Sequence, residues 1–341
     1  MRRLLFFLFI FLFTSTAFAV RVNSIYRAEI PVSSQSVQER DQAVLQGLSQ
    51  VLIKVSGKPT ILNNPTIKSH LTAAAANLMQ EYSYTENLLK VSFDQNGVNK
   101  LLKDANSPIW GTSRPLIVAW IQYQGANQAP QIIDSHSGNE IQALLKQNSD
   151  RYGLPVLLPM MDVTDLNQLS GNDVANMRVD NLQSASKRYG NDAILVMNIS
   201  QQNHTVTAQS KLVLGKESWG WNSTGDTVQN VLNSLMDKVS ETLVARYSTV
   251  VTNVTQKNIT LKITGVNQQT DFAELIHYIQ NIAFVDSVQP AKISGDAIEL
   301  SISLRGSQEA FVQAISLDKK LTPTADNSNT QLLIYEWNHQ T

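Results

Sequence analysis

The chain has 341 residues, with 27 Lys and Arg against 28 Asp and Glu, five His and no Cys. A net charge of −1 offers none of the basic excess that nucleic-acid binding needs. The absence of Cys excludes disulfide stapling and a lipid anchor carried on a Cys.

Arg2 and Arg3 precede an unbroken apolar run from Leu4 to Phe13, and Ala17-Phe18-Ala19 forms a small-x-small site before Val20. That order reads as a secretory signal peptide over residues 1–19, cut after Ala19 and delivering the chain to the periplasm. The apolar run has ten residues, against roughly 18 or more for a bilayer span, and no later stretch approaches that length. No transmembrane segment is therefore expected after cleavage. The remaining length of about 320 residues predicts two or three domains.

The first segment, 20–113, reads as a small α+β domain. Tyr26 to Val32 alternates as a strand. Val37, Val44, Leu45, Leu48, Val51, Leu52 and Val55 give a helix over 37–55 one apolar face, with Gly57 and Pro59 as its stop. A helix near Thr66 to Leu78, a strand from Tyr82 to Phe93 and a short helix over 97–104 follow. The second segment, 114–250, reads as an α/β domain. Apolar strands at 116–123, 154–161 and 193–199 alternate with helices at 140–152 and ahead of Tyr189-Gly190, and a polar loop spans 162–180. Such strands imply a partly parallel sheet covered by helices. Strands at 205–214 and 217–223 form a hairpin, and an amphipathic helix from Val228 to Tyr247 closes the unit. The third segment, 258–341, reads β-α-β-β-α-β, the ferredoxin-like split βαβ order. The fold class is thus α/β to α+β in three small mixed domains, with links at 107–114 and 249–257.

Val51-Leu52-Ile53-Lys54-Val55-Ser56-Gly57, Asn64-Pro65, Val91-Ser92-Phe93-Asp94 and Ile109-Trp110-Gly111-Thr112-Ser113-Arg114-Pro115 stand together in this order. With these blocks, the chain over about 25–247 resembles the exported proteobacterial family of unknown function DUF 2066. The resemblance implies a Gram-negative envelope protein and supplies no activity and no site residues. More loosely, Tyr189-Gly190-Asn191-Asp192-Ala193-Ile194-Leu195-Val196 is similar to a block of the envelope domains of TolB amino-terminal regions, curli-secretion lipoproteins and synthase activators. Those domains act by binding partners, which implies an envelope protein as partner here.

Residues able to carry chemistry are sparse. His70, His136, His204, His277 and His339 are scattered without ligand spacing. Asp162 and Asp165 could offer oxygens to a cation or ligand from the central loop, but lack the spacing of a calcium loop. Ser184-Ala185-Ser186-Lys187 matches Ser-x-x-Lys without its companion motifs, and no phosphate-binding glycine loop occurs. No catalytic residue, metal or cofactor is therefore assigned. Trp219-Gly220-Trp221 puts two indoles on one strand face, either as core packing or as an aromatic platform. Trp219, Trp221, Asp162 and Asp165 are the candidate interaction surface. The leading expectation is a non-enzymatic accessory module of the cell envelope. A glycan or peptidoglycan hydrolase using a carboxylate pair or Ser186-Lys187, and a periplasmic small-ligand-binding protein, stand as alternatives.

Overall fold

The computed structural model describes residues 25–250, 257–325 and 332–338, so the signal segment over 1–19 lies outside the described residues. The chain opens with β1 (Arg27–Pro31) and α1 (Val37–Ser56), followed by α2 (Pro65–Leu78), β2 (Met79–Thr85), β3 (Leu88–Phe93) and α3 (Gln95–Asp104). The three strands form an antiparallel sheet in the order β1-β3-β2. Ser36 caps α1 by accepting the Glu39 N–H, and the Glu39 carboxylate returns to the Ser33 N–H and the Ser33 and Ser34 hydroxyls. The helical spacing then buries Val44, Leu48, Val51, Leu52 and Val55 completely or nearly so. Gly57 ends the helix at φ 63°, in the left-handed region, and its N–H reaches the Ile53 carbonyl. The single strand expected over 82–93 is a hairpin, because Glu86 adopts φ 53° and reverses the chain between β2 and β3.

A two-residue strand, β4 (Pro108–Ile109), leads to β5 (Ile117–Gln124), β6 (Gln131–Ile133), α4 (Glu140–Tyr152) and β7 (Val156–Leu157). The apolar run 154–161 yields only these two strand residues, since Pro155 and Pro159 remove ladder donors on either side. The polar stretch 162–180 is not a loop. It folds into α5 (Val163–Gln168) and α6 (Gly171–Ala175), which run on into α7 (Val179–Ser186). Asp162 caps α5 through the Thr164 and Asp165 N–H groups, and Ser170 with Asp173 forms a capping box on α6.

Then come β8 (Ala193–Gln202), β9 (Thr205–Leu214), β10 (Glu217–Gly225) and α8 (Val228–Tyr247). The central sheet has the order β10-β9-β8-β5-β6, with β7 beside β5. β5 runs parallel to both β8 and β7, while β9 is antiparallel to both β8 and β10. Strand alternation sorts its side chains. Ile117, Ala119 and Ile121 join the cluster containing α4 and α8, and Val118 and Trp120 face Val174 of α6 and Leu182 and Ala185 of α7. The sheet is thereby covered on both faces.

β11 (Thr249–Val250) pairs antiparallel with β4, so the two segments expected as links bind each other. Beyond it lie β12 (Lys257–Thr264), α9 (Gln269–Gln280), β13 (Val285–Ser294), β14 (Ala297–Leu304), α10 (Gln308–Asp318), β15 (Leu321–Pro323) and β16 (Leu332–Trp337). The sheet order is β13-β14-β12-β16-β15. β14 sits antiparallel between β12 and β13, which is the split βαβ unit. The final strand departs from the expected pattern. β16 runs parallel to β12, and β15 takes the antiparallel direction that the crossover through α10 imposes. β16 is thus inserted between β12 and β15.

Candidate functional site

The two aspartates at the head of α5 form a closed network. Arg188 donates to both carboxylate oxygens of Asp162, at 2.6 and 2.8 Å, and to Asp165 at 3.1 Å. Asp165 is fully buried and accepts the Tyr189 hydroxyl at 2.5 Å and the Met161 N–H at 2.9 Å. The bidentate guanidinium holds the Asp162 carboxyl well below the usual carboxylate range. Burial, followed by the bond to Asp165, pushes the Tyr189 hydroxyl up to about 12, so it remains a donor. With these oxygens spoken for, the pair is a brace and not an open cation site. Among the described residues, no group of three or more His, Asp or Glu could hold a metal ion.

Against that brace sits a feature that composition alone did not reveal. Leu157, Met160, Val163 and Leu166 are 42, 50, 73 and 61% exposed. Val163 and Leu166 are three residues apart on α5 and share a helix face. Their signal in the sequence was an apolar run that continues past Pro159 into the polar stretch.

Trp219 and Trp221 lie on the opposite side of the central sheet. Both indoles face α8, half-buried against the main core. Trp221 is packing. Trp219 also lines an open groove of about 660 Å³ between β10, α8 and α10, together with Glu217, Glu241, Arg246, Glu309 and Gln313. Three carboxylates converge there from separate elements. Glu217 is paired with Arg246, and the Glu309 carboxyl is held below its ordinary range by its own backbone N–H and the Ser307 hydroxyl. Acid catalysis of glycoside cleavage needs a carboxyl raised to stay protonated, and Glu309 is shifted the other way. The Ser-Lys alternative is not assembled either. Ser186 is buried, donates to the Leu182 carbonyl at 2.7 Å and accepts the Trp120 indole N–H at 2.8 Å, while Lys187 is exposed. Ser184 bonds to the Asp180 carbonyl.

The residues of the two most distinctive sequence blocks meet in a joint. α1 ends with unpaired carbonyls, as every helix does. The Trp110 N–H takes that of Val55 at 2.8 Å, and Arg114 Nη2 takes that of Lys54 at 2.9 Å. Arg114 also donates to the carbonyls of Gly111, Trp110 and Tyr152, the last at the end of α4, and stacks 3.7 Å over the Trp110 ring. This guanidinium is fully buried and forms no ion pair with a carboxylate among the described residues. It lies between the negative ends of two helix dipoles, about half a charge each, which together balance it. Burial lowers its pKa to about 9, leaving it a cation at neutral pH. The Ser240 hydroxyl donates to the Gly57 carbonyl at 2.7 Å and ties α8 to the same joint.

No curated protein matches this chain. Among solved structures, the lipoprotein GNA1162 from Neisseria meningitidis is 16% identical at a TM-score of 0.23, covering 41% of this chain and 100% of that one. A second, described as an uncharacterized protein, is 11% identical at a TM-score of 0.18, covering 39% of this chain and 91% of that one. At these scores neither likeness carries an argument. Residues 19–111 match the family described as "Domain of unknown function (DUF8605)", a different number from the DUF 2066 that the motifs suggested, and the match ends at Gly111, just before Arg114-Pro115.

Proposed function

We propose that this chain is an exported, non-enzymatic interaction protein of the bacterial cell envelope that docks on another envelope protein through the α5 side of its central sheet. The observation that carries this reading is the group of four large apolar side chains, Leu157, Met160, Val163 and Leu166, exposed within ten residues of chain. Single exposed apolar residues are ordinary on any protein, whereas a contiguous group on a stiff base is the usual mark of an interface. The base here is stiff because Arg188, Asp162, Asp165 and Tyr189 pin α5, which carries Val163 and Leu166, and the Tyr189 hydroxyl also accepts the Met160 N–H. A preorganised apolar patch loses little conformational entropy on docking. The export-signal order at the amino terminus and the likeness of the Val-Lys-Val-Ser-Gly and Trp-Gly-x-x-Arg-Pro blocks to DUF 2066 proteins support the compartment.

The lack of native Cys makes the test clean. A single Cys at Val163, carrying a short photo-crosslinker, is expected to give one discrete adduct in intact cells. That adduct should vanish when Leu166→Asp is added and should not form from Lys90, exposed on the outer face of the first sheet. Equal labelling from both positions, or none, defeats the docking surface. Mass analysis should find the mature chain starting at Val20. Retention of Met1 would defeat cleavage.

A further inference from the structure

β10 is the outermost strand of the central sheet, and no other described strand pairs with its outer side. The two-residue turn Gly215-Lys216, with Gly215 at φ 59°, sets Leu214 opposite Glu217. In such a hairpin the backbone groups of Glu217, Trp219, Trp221 and Ser223 bond to β9, and those of Ser218, Gly220, Asn222 and Thr224 point outward. The Asn222 carbonyl accepts Lys238 Nζ at 3.4 Å, as an outward group would.

Proteins ordinarily blunt such edges with prolines, bulges or short strands, and this chain does so elsewhere. Among the described residues, β13 carries Pro290 and two register shifts, and β2 has a shift between Met79 and Glu81. β6 and β15 have three residues each, and β1 ends on Pro31. β10 has nine residues in unbroken register, with no proline and no bulge. Its first residues also form one wall of the groove described above. The charged side chains lining that groove are Glu217, Glu241 and Glu309 against Arg246, an excess of two negative charges, with Lys257 acting on Glu309 from outside the lining.

From this juxtaposition we propose that the free edge of β10 and the acidic groove beside it form one docking site for an extended, basic peptide segment of a partner protein. The segment adds as a strand along Ser218, Gly220 and Thr224, with the Asn222 carbonyl shared with Lys238 Nζ. A Lys or Arg side chain enters the groove, its stem along the Trp219 indole and its cation toward Glu241 and Glu309. A second copy of this chain pairing edge to edge is a poorer occupant, because β10 contains Glu217 and no cation to answer the groove. The site lies on the sheet face opposite α5 and is independent of the docking surface proposed there.

The test uses the full mature chain and a capped nine-residue peptide alternating Val and Thr around one central Lys. Binding is read by Trp fluorescence and by slowed amide exchange at Gly220. Exchanging the Lys for Glu is expected to weaken binding by about tenfold or more, and Glu241→Gln with Glu309→Gln by several-fold with a flatter salt dependence. N-methylation of alternate peptide amides should abolish binding without altering the protein. Val163→Asp with Leu166→Asp should leave it unchanged. Equal affinity for the Lys and Glu peptides, or for the N-methylated one, overturns the proposal. So does β10 protection that depends on protein concentration alone, or a response to a neutral oligosaccharide and not to the peptide.

Discussion

Replacing Arg114 by Ala should be among the most damaging single changes in this chain. The side chain serves four carbonyl oxygens, those of Gly111, Trp110, Lys54 and Tyr152. At about 1 kcal/mol for each buried acceptor left unpaired, the bonds alone amount to roughly 4 kcal/mol. Lost stacking on Trp110 adds about 1–2 kcal/mol. Relief from holding a desolvated cation offsets part of that total, so the expected net cost is about 3–5 kcal/mol. Arg114→Lys keeps the charge but can satisfy fewer of the carbonyls and cannot stack. It should fall between wild type and Ala. Urea unfolding followed by Trp fluorescence and, separately, by far-ultraviolet circular dichroism measures both variants. A cost below about 1 kcal/mol for Arg114→Ala, or a Lys variant as stable as wild type, would refute the view that two helix ends are held by this one guanidinium.

Gly57→Ala places a methyl in a left-handed residue and 2.1 Å from Val244 Cγ2 in the core of α8. Strain and overpacking together should cost about 2–5 kcal/mol in the same unfolding assay. Ser186→Ala leaves the buried Trp120 indole N–H without its acceptor and should lower stability by about 1–3 kcal/mol, with a changed Trp emission. A full loss of some hydrolytic activity in a still-folded Ser186→Ala chain would contradict the structural role assigned to it. Hydrogen bonds from Ser34 and Ser33 hold the Glu39 carboxyl at about 2, against an ordinary 4.5. Its folded pKa is depressed, so its contribution is present above pH 4.5 and is lost as pH falls toward 2. Asp162 acts in the same direction. Melting temperatures taken from pH 5 to 2 should fall less steeply in Glu39→Gln than in wild type.

The helices α1 and α8 and the β9-β10 hairpin are legible in the sequence because each signal is local. The apolar repeat, a cap and a turn glycine lie within the element they define. α5 and α6 were hidden for the converse reason. Helices of six and five residues are too short to display a period, and only the Asp162 and Ser170 caps announced them. Composition misled at 154–161, where apolar residues suggested a strand that Pro155 and Pro159 prevent. The insertion of β16 beside β12 depends on contacts some seventy residues apart, beyond any local pattern. The candidate surfaces divide in the same way. The pairing of Trp219 with Trp221 on one strand face follows from alternation, but Glu217, Glu241 and Glu309 meet only in three dimensions. The exposure of Val163 and Leu166 likewise depends on where α5 is pinned.

The two most specific sequence blocks turn out to be the two halves of one joint. Gly57 ends α1, and the Trp110 N–H and Arg114 take the carbonyls that this ending leaves open. A Trp-Gly-x-x-Arg-Pro block is demanding because each of its parts answers a backbone group of another element: an amide for Val55, a ring for the guanidinium to lie on, and a fork for two helix ends. In this chain the two blocks thus fasten α1 to the central domain. None of the joint residues belongs to the α5 patch, and only its far neighbours on α8 approach the β10 groove. The most distinctive blocks in this chain thus serve its architecture. The exposed apolar side chains of α5 and the outer edge of β10, where docking is proposed, play no part in that fastening.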